Sequence, residues 1–294
     1  MSSIHADPVL DQGYRLVRLI SEGGMGSVYE AMQLRLDRRV AVKVLSSGMA
    51  DNPEALARFR REVKVMSKLG HPHVVQLLDF GTTESHQPYL VTEYLEGEDL
   101  QQRLDRVGSL PLGATLSILR QVASALAAIH ANAIVHRDLK PANVFLLELD
   151  GAADFVKVLD FGIAKLKTST TALTQPTSIL GTPEYMSPEQ ASGRVDELDH
   201  RCDQWALACM AWHMLSGRPP FAGRDLGEIL DRIAADDPPS LLAAQAALPP
   251  ALEQALLRAL AKRPSRRYPT VTAFLRAFES AAGAAQGGVA EPGR

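Results

Sequence analysis

The hydrophobic pattern of this chain changes period near Glu93. Before that point, short runs of alternating residues read as strands: Tyr14 to Ile20, Ser27 to Gln33, Arg39 to Leu45, Val74 to Phe80 and Tyr89 to Glu93. One helix interrupts them. Asp51-Asn52-Pro53 signals its start, with Asn52 as the cap and Pro53 in the first turn, and Leu56, Phe59, Val63 and Met66 form its apolar face. After Glu93 the period becomes helical. Leu112 to Ala131 is apolar on several sides, with Ile118, Val122, Ala125 and Ile129 inward, and is expected to be buried. Gln204 to Leu215, Leu252 to Ala261 and a stripe of Val271, Phe274, Leu275 and Phe278 predict further helices. The expected architecture is α+β: a small strand-rich lobe joined to a larger helical lobe, with a ligand cleft expected between them.

Composition excludes several classes of function. With 46% hydrophobic and 22% charged residues, the 294-residue chain has apolar material for a sizeable core. A net charge of −3 argues against a nucleic-acid partner, which calls for a basic excess. Two cysteines, Cys202 and Cys209, make a disulfide framework unexpected and fit a reducing, cytoplasmic setting. Residues 1–13 show no signal-peptide pattern, and no run approaches the ~18 consecutive apolar residues of a membrane helix, so no membrane insertion by this chain is expected. Whether it belongs to a longer, membrane-anchored protein stays open.

Four motifs carry chemistry. Ser21-Glu22-Gly23-Gly24-Met25-Gly26-Ser27-Val28 is a glycine-rich break between strands, where backbone N–H groups can approach phosphate oxygens. A strand follows it, which argues against a dinucleotide-binding turn. Val40-Ala41-Val42-Lys43 ends a strand in a lysine able to meet phosphate as a point charge. Glu62 lies in the apolar stripe of the first helix, where a carboxylate needs a partner; Lys43 is the natural one. His136-Arg137-Asp138-Leu139-Lys140-Pro141-Ala142-Asn143 supplies a carboxylate to orient a substrate hydroxyl and an amide oxygen for a magnesium ion. Asp160-Phe161-Gly162 follows a strand, Phe155 to Leu159, and offers a second magnesium ligand.

In this order and spacing, the motifs resemble the eukaryotic-like protein kinases, in their bacterial serine/threonine branch. The likeness runs from about Tyr14 to Phe278 and adds His71-Pro72-His73, the segment Gly181-Thr182-Pro183-Glu184-Tyr185-Met186-Ser187-Pro188-Glu189, Asp203 before Trp205, and Arg267. It implies the bilobal protein-kinase fold: an extension over 1–13, an N-lobe over 14–93, a hinge over 94–96, a C-lobe over 97–280 and a flexible tail over 281–294. It also implies an enzyme that transfers the γ-phosphoryl of ATP to Ser/Thr hydroxyls of protein substrates in bacterial signalling, with Mg2+, or Mn2+ in its place.

The implied roles fall on numbered residues. Ile20 and the glycine loop, from Ser21, Glu22, Gly23, Gly24, Met25 and Gly26 to Ser27 and Val28, cover the phosphates and the adenine. Lys43 pairs with Glu62 and the α- and β-phosphates. Glu93 and Leu95 bond adenine, and Val28, Ala41 and Phe145 sandwich its ring. Asp138 is the catalytic base or orienter, Lys140 contacts the γ-phosphate, and Asn143 and Asp160 hold the metal. Thr182, Glu189, Asp203 and Arg267 are structural: Glu189 pairs with Arg267, and Asp203 caps the catalytic-loop backbone. Arg137 implies control by a phosphate on the activation segment.

Within that segment Thr174, followed by Thr177, best matches the family's autophosphorylation position. Pairing of two kinase domains during activation is a further implication. Three departures stand out: Ser21 where a first glycine is usual, Ser187 in place of alanine, and a bulky Phe145 beneath the adenine. Two other readings are a scaffold without turnover and a small-molecule phosphotransferase. The complete set Lys43, Asp138, Asn143 and Asp160 speaks against the first, and the segment Gly181 to Glu189, which docks a peptide, against the second.

Overall fold

Alternation at Val40 and Val42 places both side chains, fully buried, on one face of a sheet, and leaves Ala41 and Lys43 on the other. The computed structural model describes residues 9–10, 13–23, 26–46, 53–149, 152–160, 183–194 and 197–283. The chain divides into two compact units: the described residues up to Gly70 together with Val74–Glu96, and His71–His73 together with the described residues from Gly97 on.

The first unit is built on an antiparallel sheet in the order β1-β2-β3-β4-β6-β5. Its strands are β1 (Val9–Leu10), β2 (Tyr14–Gly23), β3 (Gly26–Gln33), β4 (Arg38–Leu45), β5 (Leu77–Thr82) and β6 (Pro88–Glu93). Tyr14, Ala31, Val40, Val42, Tyr89 and Val91 form the core of one face, with the Tyr14 and Tyr89 rings edge to face at 6.3 Å. Helix α1 (Pro53–Met66) covers the other face. Its Phe59 and Val63 pack with Leu45, and with Leu77, Phe80 and Leu90 beside it. Pro53 stands at the first helical position as expected; Asn52 lies outside the described residues.

Boundaries in this unit differ from the sequence reading, and β5 covers Leu77–Thr82 where Val74 to Phe80 is expected. Ser21-Glu22-Gly23 is strand, not a break: Ser21 pairs with Val28, Glu22 with Ser27 and Gly23 with Gly26. Cross-strand pairing carries β2 past two register shifts and overrides the weak strand propensity of these residues. The described part of the expected N-terminal extension is also sheet, since Val9 pairs with Arg15 and Leu10 with Tyr14.

The second unit holds a small sheet, β7 (Gly97–Asp99), β8 (Val144–Leu149) and β9 (Ala152–Val158), and helices α2 (Leu100–Val107), α3 (Leu112–Ala131), α4 (Pro188–Ala191), α5 (Arg201–Ser216), α6 (Leu226–Ala235), α7 (Leu241–Ala244), α8 (Pro250–Ala259) and α9 (Val271–Gly283). Ile118, Val122, Ala125 and Ile129 of α3 are fully buried, and α3 packs against α5, α9 and β9. By length and apolar content alone α3 could cross a membrane; here it is a core helix. Helix α5 is buried at every position from Cys202 to Leu215, so no polar face breaks its pattern. Trp205 stacks on Phe221 at 5.4 Å. Helix α9 runs through Gly283 with Ala281 and Ala282 buried, so the tail expected from Ala281 does not begin there.

Candidate active site

In the first unit, register decides which side chains share a face. Val28 lies opposite Lys43, and Glu30 opposite Ala41. Directly opposed residues point the same way, as do residues two apart, so Val28, Glu30, Ala41 and Lys43 share one face. Leu90 and Thr92 of β6 continue it, opposite Lys43 and Ala41. It is also the face against which α1 packs, through Leu45 and Leu90. Glu62 lies on α1; its side chain is outside the described residues, and so are Gly24 and Met25. Ile20 is 44% exposed on β2. Gly26, at φ +134, tolerates no side chain, because a Cβ there would lie 2.0 Å from the Val44 carbonyl oxygen. Ser21 pairs with Val28 just past a register shift and is not among the positive-φ residues, so serine fits where a glycine is usual.

Glu93 ends β6. Its N–H donates to the Gln76 carbonyl at 3.1 Å, and its carboxylate accepts from the Gln76 N–H at 2.8 Å. Leu95, two residues on, makes no hydrogen bond among the described residues.

In the second unit, a loop between α3 and β8 carries Asp138, Lys140 and Asn143. Lys140 Nζ and Asn143 Nδ2 both lie 3.5 Å from Asp138 Oδ2, and Asn143 Nδ2 donates to the Asp138 carbonyl at 2.8 Å. With its NH2 group used in that way, Asn143 has its side-chain amide oxygen, a hard donor suited to a hard cation, on the other side. The Leu159 N–H donates to the Asn143 carbonyl at 2.8 Å, which brings Asp160, the next residue, beside the loop. Asp160 is exposed and held at φ +45, an uncommon conformation for a residue with a side chain. An amide oxygen and a carboxylate, completed by water and phosphate oxygens, suit Mg2+, so these residues fit that ion. Phe145 lies on β8, paired with Asp99 and Lys157, and is half-buried.

The loop is pinned from behind. Asp203, 1% exposed in the first turn of α5, accepts the His136 N–H on Oδ2 and the Arg137 N–H on Oδ1, both at 2.8 Å. His130, at the end of α3, meets Asp203 Oδ2 at 2.8 Å. Burial alone would raise the Asp203 pKa; the His130 hydrogen bond, the nearby His136 and His130 charges and the backbone N–H outweigh it and hold it below the ordinary carboxylate value. The backbone so held includes Arg137 at φ +61, whose buried Nε has no hydrogen-bond partner among the described residues. The His136 ring meets the Leu159 carbonyl at 2.9 Å, and Gln190 donates to the Arg137 carbonyl at 2.8 Å.

Glu189 and Arg267 meet in a fully buried bidentate pair, with both N–O distances 2.7 Å. Thr174, Thr177 and Thr182 lie outside the described residues, with Phe161 and Gly162. The sequence marks neither His130 nor Gln190 as functional, beyond placing a histidine directly after the inward Ile129.

This fold and this loop together define the protein-kinase class. A family profile described as the protein kinase domain matches residues 14–277, and the chain belongs to that family. It is 44% identical over 269 residues to the serine/threonine-protein kinase Pkn1 of Myxococcus xanthus, covering 91% of this chain and 38% of that protein. It is 37% identical over 266 residues to the serine/threonine-protein kinase PknB of Mycobacterium leprae, covering 90% of this chain and 42% of that protein. The chain thus spans less than half the length of these curated relatives. The solved Mycobacterium tuberculosis PknI kinase domain is similar at a TM-score of 0.74 and 34% identity, covering 95% of this chain and 99% of that one.

Proposed function

We propose that this chain transfers the γ-phosphoryl group of ATP to serine and threonine hydroxyls of proteins, in bacterial signalling. The observation that carries the reading is the cluster around Asp138: one carboxylate within 3.5 Å of both an ammonium and an amide, on a loop capped by a buried aspartate. Asp138 orients the acceptor hydroxyl and takes its proton. Lys140 places positive charge where the transferred group becomes more anionic, without a covalent intermediate. Lys43 serves as a point charge for the α- and β-phosphates and Glu62 as its partner; the glycine hairpin from Ser21 to Val28 covers the phosphates. Val28, Ala41 and Phe145 hold the adenine ring, with Glu93 and Leu95 bonding its edge through backbone groups. Asn143 and Asp160 hold Mg2+, which neutralises phosphate charge when bound.

Thr174, then Thr177, is the expected autophosphorylation site, and a phosphate there would offset the Arg137 guanidinium, whose buried Nε lacks a partner among the described residues. A cytoplasmic location, protein substrates and transient pairing of two kinase domains belong to the same reading.

The test is phosphate transfer from Mg-ATP to a generic protein substrate. Asp138→Asn is expected to lower turnover by about 10²–10⁴, and mass spectrometry is expected to find phosphate on Thr174. Wild-type turnover in the variant would remove Asp138 from its role; nucleotide binding without any transfer would favour a scaffold.

A further inference from the structure

Tyr94, the first residue after β6, is gripped at both ends of its side chain, wholly within the first unit. Its hydroxyl donates to the Glu30 carboxylate at 3.3 Å and accepts from Arg18 Nη2 at 3.1 Å. Arg18 Nε also donates to Glu30 at 2.7 Å, closing a three-membered network. Over the ring lies the Arg39 guanidinium, 4.7 Å from the centroid, and the same guanidinium pairs with Glu96. Glu30 anchors the arrangement. It is 9% exposed, on the face it shares with Val28 and Ala41, and a carboxylate so placed must keep its donors.

The consequence lies in the backbone. Glu93 is tied to Gln76 through both its N–H and its carboxylate, Tyr94 is clamped at hydroxyl and ring, and Glu96 is tied to Arg39. Between them, Leu95 makes no hydrogen bond among the described residues. A strand end immobilised on both sides of one open residue is prearranged to bond a flat heterocycle edge, because little backbone freedom is lost on binding. We propose that Tyr94, clamped by Glu30, Arg18 and Arg39, is a positioning residue that fixes the backbone at Leu95 and so sets the affinity for nucleotide. The proposal rests on the kinase reading above, and it adds four side chains that contact no part of the nucleotide in that reading.

Each exposed pair counts little alone, since Arg18 is 58%, Arg39 47% and Glu96 70% exposed. The clamp therefore acts as a unit and is tested by graded removal. Titration of the whole chain with a fluorescent ADP gives the Kd, calorimetry without nucleotide gives the Tm, and steady-state assays give KM for ATP and kcat. Tyr94→Ala is expected to weaken nucleotide binding about tenfold. Tyr94→Phe, which keeps the ring under Arg39, and Arg39→Ala should each weaken it about threefold. Arg39→Lys, which keeps a cation over the ring, should recover most of the loss. KM should rise more than kcat falls, with Tm within about 2 °C of wild type. Equal Kd values for Tyr94→Ala and wild type would overturn the clamp while leaving the kinase reading standing. So would losses of affinity that scale with Tm across the variants. Failure of the wild-type chain to bind the nucleotide would overturn both.

Discussion

Arg267 and Glu189 form a two-pronged ion pair in which neither side chain has any exposed surface, although 78 residues separate them in sequence. The remaining donors of Arg267 reach the carbonyls of Ala261, Arg201 and Lys262, so the guanidinium holds three stretches of chain, at Glu189, Arg201 and Ala261-Lys262. Removing Arg267 would leave a carboxylate in the core without its partner. Arg267→Ala is expected to destabilise the second unit by about 3–5 kcal/mol. A double replacement of Arg267 and Glu189 by methionine should cost less than Arg267→Ala alone. Urea denaturation of the three proteins checks the order; a single variant as stable as wild type would contradict it.

Asp203 holds two backbone N–H groups, and its pKa is depressed in the folded chain. A carboxyl depressed on folding contributes stability above its unfolded pKa of about 3.9 and loses it as pH falls through the folded value. The wild type should therefore lose stability more steeply than Asp203→Asn below about pH 4. Asp203→Ala should cost about 2–5 kcal/mol at neutral pH, since two buried donors lose their acceptor. Denaturation midpoints measured across pH decide both points.

Gly97 opens β7 at φ +151, and a Cβ there would lie 2.1 Å from the Leu146 carbonyl oxygen. No rotamer relieves a clash with backbone. Gly97→Ala should destabilise the chain by at least about 1–3 kcal/mol, and Gly113→Ala, at a helical glycine with open space around its Cβ, should be neutral or stabilising. Thermal unfolding of the pair tests the contrast.

Lys262 donates to the carbonyls of Ile233 at 2.8 Å and Arg232 at 3.3 Å, near the end of α6, with its ammonium over the Phe221 ring. Burial lowers its pKa to about 8; the charges of Cys209, Asp237 and Asp236 act upward and Arg267 downward. Below about 8 the amine is charged in both folded and unfolded chains. Between there and the unfolded value of about 10.4, only the unfolded chain keeps the proton, so this group's contribution to stability rises with pH. The Tm difference between wild type and Lys262→Met should widen in favour of wild type from about pH 7.5 to 9.5. A constant or shrinking difference would contradict the burial of the charged amine.

Much of the fold could be read from the chain because its signals are local. Helix α3 occupies the span its apolar spacing predicts, Leu112–Ala131, and β3 and β4 follow their alternation to within a residue. Helix α2 gives little periodic signal: it is short, and its start lies in a capping box between Asp99 and Gln102, outside the hydrophobic pattern. The sheet β7-β8-β9 was only partly visible, because β7 is three residues long and owes its strand character to pairing with β8. The catalytic loop was legible as one continuous polar string. Of its supports, Asp203, 67 residues from His136, is marked by the family likeness alone, and His130, 73 residues from Asp203, by nothing, because no periodicity announces a bond across such distances.

The strand Val9–Leu10 pairs along the outer side of β2, ahead of Tyr14, where the family likeness begins. A truncated protein starting at that residue would keep every group named in the catalytic reading and yet leave Tyr14 and Arg15 of β2 without their edge partner. An unpaired strand edge is a template for strand addition by another molecule. Shortening the chain there is thus expected to lengthen the open edge of β2 by those two positions and to favour self-association, with the catalytic groups intact, for a reason unrelated to chemistry.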